Sequence, residues 1–386
     1  MVFVEIDEAS VKFLILNHNL KILAGSEINA VQLCHALRGM GHEADLGTFL
    51  YDFPLKKIVV KNDLKVIDLL SDDTDSAFDY DVIWAHHAPV LSHLLFKKKV
   101  SDCRILFSSL SSILPLEAPP IFLDSIQLYL SHCPDNRDLM EQHGVPAESI
   151  HYFPNFAPDK YFVQPPREFP ATPRKIAVIS NHPPEEIRAF ARIAAKADIA
   201  VDLIGKKDRP VFVDDVLLRK YDLVVSIGKT VVYCFALSIP VYCYDHFGGP
   251  GYITPANFHK AKTHNFSGRG FDRRLGPEKL FHEIVGHYGS HQKNLPFLFT
   301  ESSRHFCLEK NLEDLFRRIA QLPLLNIQEF RKRNSLAERA YDVYIEILLK
   351  SRKKKTRNMR KRILKFPFEY WLSKIKYLSK QIIGKS

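Results

Sequence analysis

The sequence has no apolar run long enough to cross a bilayer, and it has only six cysteines in 386 residues. The segment from Met1 to Ser10 is acidic and is not followed by a long apolar stretch, so we expect no secretory signal. The cysteines show neither metal-binding spacing nor a disulfide framework, and they stand at Cys34, Cys103, Cys133, Cys234, Cys243 and Cys307. This pattern predicts buried, reduced thiols in a cytoplasmic protein.

An internal repeat and a convincing metal motif are also missing. Residues 72–75 contain an Asp-x-Asp, but they stand in an acidic stretch far from the glycine-rich motifs of the second half. We interpret them as a solvated loop and predict no metal site and no cofactor. The composition, 46% hydrophobic and 25% charged, is that of a soluble globular protein, and the length predicts two domains.

The net charge of +10 is concentrated at the C-terminal end. Residues 351–386 hold thirteen Lys/Arg and one acid, Glu369, so this segment carries +12 and the other 350 residues carry −2. Within it, four apolar residues fall on one helical face: Trp371, Ile375, Leu378 and Ile382. A basic run with an amphipathic helix predicts an anionic membrane surface as partner. Nucleic acid is the alternative partner, but it is not favoured, because its phosphates offer no apolar surface on which the apolar face could be buried. A disordered, solubilising tail is the third possibility.

Short apolar runs alternate with helical patterns along the rest of the chain. In the first half we predict a strand at 12–16, a helix at 27–38 and strands at 43–49, 82–84, 105–107 and 127–130. A proline-rich linker at 165–170 precedes a second series, with strands at 175–180, 200–204, 223–227 and 241–244. This order predicts two α/β domains with parallel sheets. The predicted units are 1–165, 171–326, one long helix at 327–350 that crosses back toward the first domain, and the basic tail at 351–386.

Glycine and polar residues follow several predicted strands of the second half. Gly228-Lys229-Thr230 ends one strand and starts a helix, which we expect Thr230 to cap. The carboxyl ends of parallel strands form ligand crevices, and a helix start with a lysine suits a phosphate. An ordinary strand-to-helix turn is the alternative. The same segment continues through residues 236–241 to Asp245-His246-Phe247-Gly248-Gly249-Pro250-Gly251 and then to residues 265–269.

The first half carries two further motifs. Gly25-Ser26-Glu27 stands before an amphipathic helix that ends in residues 38–43, Arg-Gly-Met-Gly-His-Glu. Residues 144–146, Gly-Val-Pro, are followed by Phe-Pro-Asn at residues 153–155. The ordered set of these motifs resembles the GT-B fold glycosyltransferases, most closely those of the bacterial family 4 type (glycosyl transferases group 1) that assemble surface polysaccharides. The resemblance covers roughly residues 10 to 350.

The resemblance implies two Rossmann-like parallel-sheet domains facing a cleft, here with a basic C-terminal tail. It implies transfer of a sugar from a nucleotide-diphospho-sugar co-substrate, with retention and without a metal. The acceptor expected with this tail is a membrane-associated glycan or lipid-linked molecule, and the protein is expected at the inner face of the cytoplasmic membrane. Three positions depart from the family pattern: Tyr233 replaces a ribose-binding glutamate, Ser238 replaces a glycine, and Val225 replaces an acid.

The resemblance and the strand ends together assign candidate residues. The catalytic candidates are His86, His87 and Glu27, with Glu117 as a weaker acceptor-side candidate. The donor-binding candidates are Gly25, Ser26, Asn181, His182, Gly205, Lys206, Gly228, Lys229, Thr230, Tyr233, Asp245, His246, Gly248, Gly249, Gly251 and Arg269. Several have a plainer interpretation: Ser26 and Glu27 as helix-start residues, Gly248–Gly251 as a turn, Arg269 as an exposed arginine, and the histidines as satisfied by backbone.

Three other functions stay open. A nucleotide-sugar epimerase of the same fold would turn over the donor without an acceptor. A non-catalytic nucleotide-sugar binding protein is suggested by Tyr233 and Val225. A nucleic-acid binder would use the basic tail on RNA instead of a membrane.

Overall fold

The computed structural model describes residues 10–71, 78–111, 114–163 and 167–353. The acidic loop at 72–75, residues 165 and 166 of the predicted linker, and the basic tail from 354 onward, with the face of Trp371, Ile375, Leu378 and Ile382, lie outside the described residues. Within them the chain forms two sheets with helices on both faces, as predicted. No helix in these ranges has the length and apolar character that a bilayer crossing requires.

The first sheet has seven strands in the order β3-β2-β1-β4-β5-β6-β7. Its strands are β1 (Lys12–Leu20), β2 (Glu43–Tyr51), β3 (Val66–Asp68), β4 (Val82–Ala85), β5 (Arg104–Ser109), β6 (Leu128–Ser131) and β7 (Ile150–Tyr152). All neighbouring pairs are parallel, so the predicted parallel sheet is confirmed. The three-residue strands β3 and β7 were not predicted, because so short a run carries little periodicity.

The second sheet has five strands in the order β12-β11-β10-β8-β9. Its strands are β8 (Lys175–Ile179), β9 (Ala200–Ile204), β10 (Leu223–Ser226), β11 (Val241–Asp245) and β12 (Gly248–Tyr252). The interpretation of Gly248–Gly251 as a turn is wrong: these residues belong to β12, which turns back and pairs antiparallel with β11. The sequence does not favour a strand at β12, because three of its five residues are glycines and glycine weakens a strand. Glycine is found in strands where another part of the backbone passes close by.

Fourteen α-helices lie in the described ranges. They are α1 (Gly25–Gly39), α2 (Leu55–Lys61), α3 (Ala88–Lys97), α4 (Pro134–Gln142), α5 (Glu185–Lys196), α6 (Asp215–Leu218), α7 (Lys229–Ala236), α8 (Phe258–Thr263), α9 (Pro277–Gly286), α10 (Tyr288–His291), α11 (Leu295–His305), α12 (Leu308–Ala320), α13 (Ile327–Arg333) and α14 (Ser335–Lys353). The single long helix predicted at 327–350 is wrong: Asn334 separates α13 from α14.

Alternate residues of β1 enter different cores. Phe13 and Ile15 face α1 and α12, whereas Leu14 and Leu16 face α3 and α14. Helix α12 therefore packs on the first sheet through four buried side chains, Leu308, Leu312, Leu315 and Ile319. The unit boundaries predicted at 165, 171 and 326 stay predictions, although this packing already joins α12 to the first domain.

The chain passes between the sheets twice, and the two passes pair with each other. After β7, Ala157 forms a parallel bridge with Cys307, which directly precedes α12. Ala157 N–H donates to the Phe306 carbonyl over 2.8 Å, and Leu308 N–H donates to the Ala157 carbonyl over 3.0 Å. The connection between the domains is thus a two-stranded one, held by backbone hydrogen bonds.

Helix α7 ends in a left-handed residue that is not glycine. Ser238 has φ 51°; its N–H donates to the Phe235 carbonyl, and Ile239 N–H donates to the Cys234 carbonyl. This is the Schellman arrangement, in which the left-handed position is usually glycine. Glycine is also the residue that the family pattern has here, so the structure explains that preference.

We predict that Ser238→Gly raises the free energy of unfolding by ~1 kcal/mol, because it relieves a left-handed conformation that a side chain disfavours. Chemical denaturation measures this change. As a control, Ser335→Gly at the start of α14 should be neutral or destabilising, since glycine there only adds freedom to the unfolded chain. A loss of stability in Ser238→Gly would contradict the prediction.

Candidate functional site

The carboxyl ends of β4 and β10 lie on the two sides of the space between the sheets. His86 and His87 follow β4, and Gly228 and Lys229 follow β10. Besides burial and the His87 charge, the Lys229 charge contributes to lowering the pKa of His86, so the two side chains are electrostatic neighbours across the domains. The structure therefore brings together the catalytic and donor-binding candidates that the sequence placed 142 positions apart.

The first turn of α7 is open. Gly228, with φ 61°, is the N-cap, and no side chain caps the helix, so the cap predicted at Thr230 is wrong. In the part of the chain that the structure describes, the backbone amides of Lys229 and Thr230 have no hydrogen-bond partner. A helix start with unpaired N–H groups carries a partial positive charge and suits an anion.

The ammonium of Lys229 reaches into the first domain. It donates a hydrogen bond to Asn29 Oδ1 on α1 and lies 3.5 Å from the centre of the Phe156 ring. Burial lowers the pKa of Lys229 well below its ordinary value, because a desolvated ammonium is disfavoured. Lys229 is thus held between the domains by a neutral carboxamide and an aromatic ring, without a carboxylate partner in the described ranges.

His86 is fully buried, and neither of its ring nitrogens makes a hydrogen bond of good geometry among the described residues, although the Ser26 backbone lies near the ring. Burial, followed by the charges of His87 and Lys229, lowers the pKa of His86 to about 3. The ring is therefore neutral at physiological pH, with one donor and one acceptor nitrogen unused. A buried polar group without a partner is costly, and this one lies where a ligand would supply the partner.

His87, Glu27 and Glu117 form a second buried group next to His86. The His18 backbone N–H donates to His87 Nδ1 over 2.9 Å, so in the neutral ring the proton lies on Nε2, 3.6 Å from Glu117 Oε1. Burial raises the pKa of Glu27, while Ser26 donates to its carboxylate over 3.0 Å. The weaker candidate Glu117 thus joins the predicted catalytic residues in one place.

A further group lies at the ends of β8, β9 and β11. Ser180 donates to both carboxylate oxygens of Asp245, at 3.0 and 2.8 Å, and Lys206 N–H donates to Asn181 Oδ1 over 3.0 Å. Burial raises the pKa of Asp245. His182 and Lys206 are exposed, and His246 is half-buried beside Phe247. The donor roles predicted for these residues stay predictions.

The predicted glycines are constrained by the fold itself. A Cβ at Gly205 would overlap the Ser180 carbonyl, and a Cβ at Gly249 would overlap the Cys243 carbonyl. Gly248 and Gly251 have φ of 74° and 81° and face the Arg273 carbonyl and the Tyr242 ring. The Gly249 amide already donates to the Arg273 carbonyl, so it is not available to a phosphate in this conformation. By contrast, a Cβ at Gly25 would meet nothing within 4 Å.

Two further donor candidates face the first domain. Tyr233 is buried, and its hydroxyl donates to Gln32 Oε1 on α1 over 2.8 Å, so its predicted ribose contact would require this bond to exchange. Arg269 donates to Ser267 within its own loop, and its charge contributes to lowering the pKa of the buried His132 after β6. Arg269 therefore lies at the side of the cleft where β6 ends.

The sequence reasoning missed the two α1 amides that contact α7. Asn29 and Gln32 stand three positions apart, which places them on one face of the helix next to the apolar stripe. Two carboxamide residues beside the apolar stripe of a predicted helix were the available signal. The contact between His264 and Asp135, at 2.6 Å across the domains, had no local signal, because the two residues are 129 positions apart.

One group of metal-ligating side chains lies in the described ranges, away from the predicted site residues. Ligand atoms of Asp159, Cys307 and Glu309 lie within 4.8 Å of one another beside the paired chain passes. Asp159 N–H already donates to Glu309, and Cys307 donates to Asp159 over 3.5 Å. The group satisfies itself through these bonds, and the predicted lack of a metal site stays a prediction.

No protein-family model matches the sequence, and no curated protein is similar to it in sequence. Solved structures do match the fold. HepE from Anabaena, solved in complex with UDP-glucose, superposes with a TM-score of 0.53 at 13% identity, over 81% of this chain and all of HepE. A glycosyltransferase from Rickettsia africae gives a TM-score of 0.50 at 12% identity, over 80% of this chain and 98% of that one. The two-domain architecture is therefore the GT-B fold, as the sequence predicted.

We predict that Gly205→Ala lowers the melting temperature, since the added methyl group overlaps backbone at Ser180, which cannot move without disturbing β8. Gly25→Ala should leave the melting temperature unchanged or raise it slightly, because space is open at this helix start and alanine restricts the unfolded chain. Differential scanning calorimetry of both variants tests the contrast. Equal effects of the two substitutions would show that crowding at Gly205 does not control stability.

Proposed function

We propose that this chain is a glycosyltransferase that moves a sugar from a nucleotide-diphospho-sugar to an acceptor bound by the first domain. The observation that carries the proposal is the open first turn of α7, with Lys229, facing the unpartnered and buried His86 across the cleft. The GT-B fold supports it, since a solved structure of similar architecture holds UDP-glucose. UDP is accordingly the first nucleotide to test.

The diphosphate would lie at the start of α7. The free amides of Lys229 and Thr230 would donate to phosphate oxygens, and the Lys229 ammonium would add a full positive charge. As the sugar leaves, negative charge grows on the diphosphate. Donors already aimed at this position would stabilise that charge without reorganising, which is a large part of catalysis in such reactions.

The sugar and the acceptor would lie against His86, His87 and Glu27. The bond between the anomeric carbon and the diphosphate oxygen breaks, and the acceptor oxygen bonds to the same carbon. The proton of the acceptor hydroxyl passes to a basic oxygen in the cleft, on the departing diphosphate or on Glu27 or Glu117. Neutral His86 would hydrogen-bond a sugar hydroxyl, since it offers one donor and one acceptor. We propose retention of configuration and no metal, as the family pattern implies.

The acceptor is proposed to be a membrane-associated glycan or lipid-linked molecule, of the lipopolysaccharide or capsule type. The basis is the +12 charge of residues 351–386 with its single acid, which favours an anionic surface. The protein would then work at the inner face of the cytoplasmic membrane.

A non-catalytic nucleotide-sugar binding protein is the second candidate. Tyr233 stands where the family pattern has a ribose-binding glutamate, and its hydroxyl is engaged by Gln32. Incubation of the purified protein with UDP-sugars and a membrane extract separates the two, because only the enzyme releases UDP in an acceptor-dependent manner.

We predict that UDP and UDP-sugars raise the melting temperature of the purified protein, and that Lys229→Met abolishes the shift by removing the cation at the start of α7. Lys220→Met is the matched control, since it removes an exposed lysine of the same domain outside the cleft. If UDP raises the melting temperature of Lys229→Met as much as that of the wild type, the proposed position of the diphosphate is wrong. A panel of the other nucleoside diphosphates identifies the base.

We predict that UDP affinity falls as the pH rises toward about 10, a range in which an ordinary lysine stays charged. Burial lowers the pKa of Lys229, so the free protein loses this proton early, and binding an anion must take it up again. Calorimetry in buffers of different ionisation enthalpy measures both effects. Lys229→Arg should hold its affinity across the range, because a guanidinium stays charged. A flat profile in the wild type would contradict the prediction.

A further inference from the structure

The two helices that face each other across the cleft are joined by two polar contacts. Asn29 accepts a hydrogen bond from Lys229, and Gln32 accepts one from Tyr233. The pairs advance together along α1 and α7, so the helices run side by side. The carboxamides of Asn29 and Gln32 are buried, and no motif of the sequence assigns them a role.

Lys229 is thereby occupied from the side of the first domain. One of its N–H groups goes to the Asn29 carboxamide, and the face of the Phe156 ring lies 3.5 Å from the ammonium. A phosphate oxygen would contact the same ammonium. In the free protein a neutral carboxamide oxygen and the face of a ring take the place of that anion.

We propose that Asn29 is an internal competitor for Lys229, whose carboxamide oxygen stands in for a phosphate oxygen until a nucleoside diphosphate arrives. This inference rests on the proposed function and deepens it, because it names the residue that sets donor affinity. The diphosphate takes the ammonium from Asn29, since a charge-assisted bond to phosphate is stronger than one to a neutral amide. Donor binding then also loosens the contact between α1 and α7.

If Asn29 competes with the diphosphate for Lys229, its removal has a different effect on UDP affinity than if Asn29 only positions Lys229 for binding. If Asn29 competes, removing its oxygen leaves the buried ammonium without compensation in the free protein, so the free protein becomes less stable. The bound state is unaffected, because the phosphate supplies the missing acceptor. Asn29→Leu should therefore lower the melting temperature of the free protein and bind UDP more tightly, by about tenfold, or ~1.4 kcal/mol. Structural damage alone would lower both the melting temperature and the affinity for UDP.

The experiment is titration calorimetry of the full-length protein with UDP and with inorganic pyrophosphate. Asn29→Leu is compared with Asn29→Asp, whose carboxylate pairs more strongly with Lys229 and which should bind both probes more weakly than the wild type. Asp135→Ala is the control, because it removes the interdomain contact with His264 and leaves Lys229 untouched. It should bind both probes as the wild type does.

Tighter binding by Asn29→Leu with no change in Asp135→Ala supports the competition. Equal or weaker binding by Asn29→Leu overturns it, and so does equal tightening by Asp135→Ala, which would mean that any loosened interface helps. If the wild type and Asn29→Leu both bind neither probe, the proposed function falls as well. If the wild type binds and Lys229→Met does not, only the outcome for Asn29→Leu decides this inference.

Discussion

The burial of one lysine charge between the two domains is the constraint on which the rest of the cleft depends. An ammonium removed from water requires acceptors nearby, and Lys229 contacts Asn29 and the ring of Phe156 in the first domain, with the ring of Tyr233 on its own helix farther away. The position of α7 relative to α1 is therefore tied to this charge. Burial, followed by the charges of His87 and Lys229, lowers the pKa of His86 and keeps its ring neutral, so its nitrogens can form hydrogen bonds to a ligand.

The departures from the family pattern form a consistent set in this chain. Tyr233 does not present a charge to the cleft; its hydroxyl joins α7 to Gln32, one turn beyond the contact of Lys229 with Asn29. Val225 is a buried residue of β10 and packs in the core between the sheet and α5 and α9. Neutral contacts thus replace the acidic groups that the pattern would supply at these two positions. The first domain contributes the carboxylates of Glu27 and Glu117, and Asp245 stays in the second domain, bonded to Ser180.

The glycines that follow the strands of the second sheet are required by the fold of the protein itself. The sequence singled out Gly205, Gly248, Gly249 and Gly251 as positions where a ligand comes close. In the structure it is the protein's own backbone or side chains that come close, at Ser180, Cys243, Arg273 and Tyr242. The approach of a ligand to these glycines stays a prediction. A glycine in the sequence does not say what comes close, because a peptide and a phosphate impose the same need for a missing Cβ.

The sequence by itself determined the two parallel sheets, their main strands and helix α1, because buried strands and amphipathic helices leave periodic patterns within a few residues. It also placed His86, His87 and Lys229 at strand ends, since that follows from strand boundaries alone. Only the tertiary structure decided that β12 is a strand, that α12 belongs to the first core, and that Asn29 and Gln32 meet α7. Each of these depends on contacts between residues far apart in the chain, such as Tyr233 and Gln32, and local periodicity carries no record of such contacts.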